Sequence, residues 1–320
     1  MFDYNMRRPQ HPPWSQLAIL LALSGGGLLV GSFISIPIAT SFLHVPLTGL
    51  SDALMKSENA NLSRLLQFIT TLFFMAIPSF IFARIMSKRA FHYMGFNGAV
   101  TGKQVFILVG IVFIAMIVSG VLSEVNEMIP LTKKAESYFK GLEDEYNKEM
   151  FAIANMKSTQ DYIVSLVIIA LLPALFEEML FRGALQPVMI SITRNAFAGI
   201  FITSILFSAI HMSYYGFLPR LALGLIIGYV FYFSKNLWLS VATHFLYNGF
   251  GVTQLYSLTK AGKLDADTMD ETFPLYYGLF AVAALFGIFY IFKKESEVVI
   301  SMYNFRHLPK GDGIDDNNET

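Results

Sequence analysis

Residues 162–190 read YIVSLVIIALLPALFEEMLFRGALQPVMI. As a helix this stretch is about 43 Å long at ~1.5 Å per residue, enough to cross ~30 Å of hydrocarbon with some tilt. Its charged side chains are Glu177, Glu178 and Arg182, all in the second half. A helix that is apolar all round lies either in lipid or in the core of a large protein. The remainder of the chain decides between these.

Working outward, comparable apolar runs fall at 16–43, 65–86, 104–122, 196–211, 218–234, 237–256 and 275–292. The runs are long and lack the two-residue alternation of barrel strands, so they read as helices. The chain is 54% hydrophobic and 14% charged, against about 25% charged in an ordinary soluble domain. Mean hydropathy is +0.53. The expected fold class is all-α, a polytopic membrane protein of about eight transmembrane helices with the lipid bilayer as its constant partner. Net charge is zero, which gives no footprint for a nucleic-acid partner. The absence of cysteine removes disulfides, thiol nucleophiles and thiolate metal sites together.

Charge placement gives an orientation. Arg7, Arg8, Lys88, Arg89, Lys103, Arg194, Lys235, Lys293 and Lys294 fall on one side of an eight-span arrangement. The longer connections on the other side mix acids and bases, with Glu143, Asp144, Glu145, Asp265, Asp267, Asp270 and Glu271. The positive-inside rule then places both termini in the cytoplasm, with the cytoplasmic (inner) membrane as the expected location. The opening segment is polar, and the first apolar run is too long for a signal sequence. The organisation expected is a cytoplasmic segment (1–15), N-terminal spans with an extracytoplasmic loop helix (16–161), a core of spans (162–295) and a cytoplasmic tail (296–320). The loop helix is expected over residues 131–157, where charges of both signs alternate, and residues 308–320 read as disordered. Gly27 and Gly31, like Gly224 and Gly228, are four apart within spans and predict close helix packing.

Ionisable groups in hydrocarbon are costly, and they persist when paired or when they act. Glu178 and Arg182 are four apart and share a helix face, so they predict an ion pair. Glu177 lies about 100° round the helix and does not share that face. Of the six histidines, His211 and His244 alone lie in or at the edge of the apolar runs of the second half. His244 and Asn248 are also four apart, so an imidazole and a carboxamide aim the same way and can hold a developing oxyanion. An unpaired glutamate between them suits a general base.

At these residues the chain resembles the CPBP family of intramembrane proteases, the group of the type II CAAX prenyl endopeptidase and of bacteriocin-processing or immunity proteins. The resemblance rests on Glu177-Glu178-x-x-x-Arg182, Phe207-x-x-x-His211 and His244-x-x-x-Asn248, in order, over roughly residues 162–250. It implies an intramembrane endopeptidase acting on membrane-associated proteins or peptides, with 162–295 as the catalytic core. Glu177 would activate water with His211, while His244 and Asn248 would stabilise the oxyanion. Glu178, Arg182 and Phe207 would shape the site. The resemblance leaves the cofactor open between no metal and a divalent ion such as zinc, with Glu177, His211 and His244 as candidate ligands. No His-Glu-x-x-His occurs. Gly-x-Ser-x-Gly and mid-span aspartates are also absent, so serine and aspartyl chemistries fit poorly. Two rival readings stay open: a non-enzymatic immunity or scaffold protein of the same fold, and a proton-coupled transporter. Neither substrate identity nor oligomeric state is legible. Counting along the runs leaves His211 and His244 about 12 Å apart in depth, a gap the tertiary structure must close.

Overall fold

The computed structural model describes residues 11–96, 98–154, 156, 158–263 and 273–306. Among these residues the chain is helical and contains no strand. Nine longer helices are α1 (Pro13–Leu43), α2 (Ala60–Met86), α3 (Gly102–Glu127), α4 (Lys133–Ala154), α5 (Thr159–Thr193), α6 (Ala196–Ala209), α7 (Phe217–Ser234), α8 (Leu237–Ala261) and α9 (Leu275–Arg306). Eight of them coincide with the predicted spans, and α4 is the expected loop helix. The expected tail at 308–320 and the acidic stretch at 265–271 lie outside the described residues, as do residues 1–10.

Six of these helices, α1, α2, α3, α5, α7 and α9, are long and apolar enough to cross a membrane. The remaining two predicted spans depart from that. Helix α6 has 14 residues, about 21 Å, and stops short of the full hydrocarbon depth. Helix α8 has 25 residues but carries Thr243, His244, Tyr247, Asn248 and Thr253 along its length. Both departures occur where the polar site residues sit. At the C-terminus, α9 continues to Arg306, well past the predicted span end at 292.

Helix α5 runs through the centre. It packs on α2, the end of α1, α6 and α8, while α3 joins α7 and α9 into a second layer. Its residues 178–186 are all buried, whereas Leu29 and Phe33 of α1 and Leu279, Phe280 and Phe286 of α9 are exposed. Large exposed apolar side chains on peripheral helices are what lipid contact requires.

Three wide π turns interrupt the helices, at Leu72–Ala76, Leu166–Leu171 and Met179–Leu185. Each is followed at once by a helical segment with proline in its first turn, namely Pro78, Pro173 and Pro187. Proline lacks an N–H and its ring strikes the carbonyl four residues back. Widening the preceding turn relieves that clash and lets the helix run on with its hydrogen bonds rearranged rather than lost.

The first π turn brings α2 against α1 at Gly27. A Cβ built on Gly27 would collide with the Phe73 carbonyl oxygen and approach the Pro78 ring. The colliding atom is backbone, which cannot swing away. Gly27→Ala is therefore expected to destabilise the fold by roughly 1–3 kcal/mol, the usual cost of overpacking. Thermal unfolding in detergent should show a lowered midpoint, with Gly26→Ala, which meets nothing within 4 Å, as the matched control.

Candidate active site

The centre of the site is built on one face of α5. Glu178 and Arg182 are both fully buried, and Arg182 Nη1 donates to Glu178 Oε1 at 2.7 Å. Arg182 Nη2 donates to the Gly224 carbonyl at 2.9 Å, and one turn on, Gln186 Nε2 donates to the Gly228 carbonyl at 3.0 Å. Arg182 lies in the third π turn and Gln186 directly after it, and both reach the backbone of α7. Gly224 and Gly228 are the acceptors because α7 passes close there. A Cβ on Gly228 would stand 2.7 Å from Ile200 and 3.0 Å from Gln186 Oε1. The close packing expected of that glycine pair is thus joined to the ion pair of α5. Gln186 was not legible as part of this arrangement, although its spacing of four from Arg182 was in plain view.

Glu178 reaches further than its own helix. His244 Nδ1 lies 2.9 Å from the same Oε1. An ionised carboxylate only accepts, so Nδ1 carries the hydrogen and the imidazole is oriented by α5. His244 Nε2 then faces Glu177, with Oε2 at 3.9 Å, beyond direct hydrogen-bond length. Glu177 Oε2 is buried and has no hydrogen-bond partner among the described residues. Its side chain as a whole retains 12% exposure, so this carboxylate is shielded but not sealed.

His211 arrives from past the end of α6. The helix stops at Ala209, Met212 adopts a left-handed conformation, and Ser208 Oγ closes onto the Phe217 carbonyl at 2.7 Å. The imidazole folds back one turn, with Nδ1 2.8 Å from the Phe207 carbonyl oxygen. A carbonyl can only accept, so here too Nδ1 carries the hydrogen and Nε2 is left for other partners. Phe207 supplies the common surface. Its ring meets the His211 ring at 5.2 Å, the His244 ring at 5.7 Å and the Phe181 ring at 5.2 Å, with the Arg182 guanidinium 4.8 Å from its centroid. The two imidazoles therefore stand on one aromatic ring, and Glu177 is close enough to interact with both electrostatically. Asn248 follows His244 by one turn, is half-buried, and makes no hydrogen bond to this group among the described residues.

The loop behind His211 is held from two sides. Asn126, only 1% exposed, donates through Nδ2 to the Tyr214 carbonyl at 3.0 Å and accepts the Leu218 N–H through Oδ1 at 3.0 Å. From α4, Glu143 Oε2 accepts the Ser213 hydroxyl at 2.9 Å, and Phe139 stacks on Tyr214 at 4.7 Å. The loop helix thus lies against the His211 loop. Asn126 carried no signal in the sequence beyond being a polar residue at the end of an apolar run.

Metal ligation was the open question for Glu177, His211 and His244. Among the described residues, no three His, Asp or Glu side chains group as ligands for one ion.

Residues 159–250 match the family model described as type II CAAX prenyl endopeptidase Rce1-like. The match covers under a third of the chain, yet it contains Glu177, Glu178, Arg182, Phe207, His211, His244 and Asn248. The family read from the three motifs and the family of the Rce1-like segment are the same. No curated protein and no solved structure matches the chain. The Rce1-like segment starts at the first residue of α5 and ends within α8, so the matched portion is the four helices that carry the site.

Proposed function

We propose that the protein is an intramembrane endopeptidase that hydrolyses peptide bonds near the C-terminus of membrane-associated proteins, using Glu177 as general base. The observation that carries this reading is the buried Oε2 of Glu177, unbonded among the described residues and 3.9 Å from His244 Nε2. Its neighbour Glu178 is committed to Arg182 and His244, so one acid builds the site and the other is left for chemistry. A water hydrogen-bonded to Glu177 would lose its proton to Oε2 as its oxygen attacks the substrate carbonyl, and the same proton would pass to the leaving amine. His211, with Nδ1 anchored on its own helix, positions that water through Nε2. Neutral His244 offers only a lone pair at Nε2, so it donates to an oxyanion only when it carries a proton. Asn248 donates in any state and is the constant oxyanion donor of the pair.

A direct test uses the purified full chain in liposomes with a prenylated peptide ending in the CAAX pattern, and the same peptide without its lipid. Release of the C-terminal tripeptide from the first is the expected result, and the second shows whether the lipid is read. Running both with and without chelator, with metal analysis of the protein, decides cofactor dependence. No cleavage of either peptide, in protein shown to be folded, would overturn the substrate assignment. Asn248→Ala should lower kcat roughly a hundredfold, as loss of one oxyanion donor does. A change in KM with kcat intact would instead make Asn248 a substrate contact.

A further inference from the structure

At the far end of α2 a second constellation is untouched by this chemistry. A cavity of about 360 Å³ is lined by Arg84, Lys88, Arg89 and His92 together with Phe80 and Phe91. The chain bends round this cavity because Arg84 Nη1 donates to the Lys88 carbonyl oxygen, and Arg89 N–H donates to Ser87 Oγ. All four basic side chains are exposed. No acid occurs in the sequence between Glu58 and Glu124. Among the described residues none pairs with Arg84, Lys88 or Arg89. Two other cations at this end differ. Lys103 is held by Glu295 at 2.6 Å, and Lys293 lies 3.9 Å from Glu297. Three clustered cations without an acidic partner, in a chain of zero net charge, call for an anion from outside.

The walls say which anion. Phe80 packs on Phe91 at 5.4 Å, Phe91 on Phe96 at 5.7 Å, and Phe96 on Trp238 at 4.9 Å. The loop that carries them is tied to the start of α8, where Leu237 N–H donates to the Gly95 carbonyl. Phe91 and Trp238 are 58% and 49% exposed. A row of exposed aromatics where apolar helices end marks the level of lipid headgroups. Beside the cavity on α2, Ile81 and Ile85, next in sequence to the lining residues Phe80 and Arg84, are each 41% exposed. The cavity therefore joins a cationic mouth to an apolar flank that runs into the bilayer. A soluble anion would use only the mouth.

We infer that this cavity binds an anionic glycerophospholipid, with the headgroup phosphate among Arg84, Lys88 and Arg89 and an acyl chain along Phe80, Ile81 and Ile85. Guanidinium and ammonium groups supply charge-assisted hydrogen bonds to phosphate oxygens. The nearby bilayer supplies the lipid at high local concentration. The site stands independently of the proposed peptidase activity.

The test is native mass spectrometry of the detergent-purified full chain titrated with phosphatidylglycerol or with phosphatidylcholine of the same acyl chains. The wild type is expected to retain phosphatidylglycerol selectively. The double variant Lys88→Gln/Arg89→Gln, which leaves the Arg84 bridge in place, should bind it on the order of thirtyfold more weakly. Lys293→Gln/Lys294→Gln removes equal charge from the same end and should stay within about twofold of wild type, since binding at the cavity is local. Thermal unfolding of both variants checks that they are folded. Equal retention of the two lipids, an unchanged Lys88/Arg89 variant, equal weakening in both variants, or displacement of the lipid by millimolar inorganic phosphate would each overturn the proposal.

Discussion

Replacing Glu177 with glutamine is expected to lower turnover by about 10²–10⁴, the contribution a positioned general base makes, while leaving the fold intact. Both halves of that expectation come from the same atom. Glu177 Oε2 accepts no hydrogen bond among the described residues, so an amide of the same shape removes no structural partner. It removes only the capacity to take a proton. The measurement is single-turnover cleavage in liposomes beside a thermal melt of the same preparation. A variant that cleaves at the wild-type rate would mean that another group takes the proton, and the hydrolytic reading of this carboxylate would be lost. A variant that is inactive and also unfolded would place Glu177 in the framework with Glu178.

The opposite outcome is expected one turn along. Arg182→Leu should cost about 3–5 kcal/mol of stability, because it strands a fully buried carboxylate. Arg182 and Glu178 both have no exposure, and the guanidinium also holds the Gly224 carbonyl. A protein with ~5–15 kcal/mol in hand would lose a large fraction of it, and expression in membranes should fall sharply. The informative partner is Glu178→Gln/Arg182→Met. Neutralising both ends removes the unpaired charge, and the glutamine carbonyl can still accept from His244 Nδ1. The double variant should therefore be more stable than Arg182→Leu alone, with denaturant titration as the readout. Wild-type stability of the single variant would show that the pair contributes nothing to the fold.

These two predictions separate neighbouring acids that look alike in the sequence. The spacing of Glu178 and Arg182 made their pairing legible, because i and i+4 share a helix face whatever surrounds them. That Glu178 also orients His244 was not legible. The two residues are 66 apart and meet through the packing of α8 on α5, which no local rule contains. The depth gap between His211 and His244 was a fair reading of straight helices of full length. In the folded chain both imidazoles nonetheless reach the Phe207 ring, at 5.2 and 5.7 Å, with α6 ending at Ala209 and His211 Nδ1 held on the Phe207 carbonyl. Pro78, Pro173 and Pro187 were visible as interruptions. The wide turns that precede them depend on how each helix satisfies its backbone within a packed bundle.

What the amino-acid sequence determined by itself is whatever follows from transfer out of water and from helix periodicity. It set which segments are apolar enough to span, which polar groups are too costly there to be incidental, and which pairs share a face. The tertiary structure alone decided which of those groups meet. It bound His244 to Glu178, brought both imidazoles to one phenylalanine, left Glu177 Oε2 without a bond among the described residues, and gathered a basic cavity at the far end of α2 with no acid paired to it among those residues. The reason is that burial cost is a property of each residue, whereas a contact between helices is a property of how several faces pack at once.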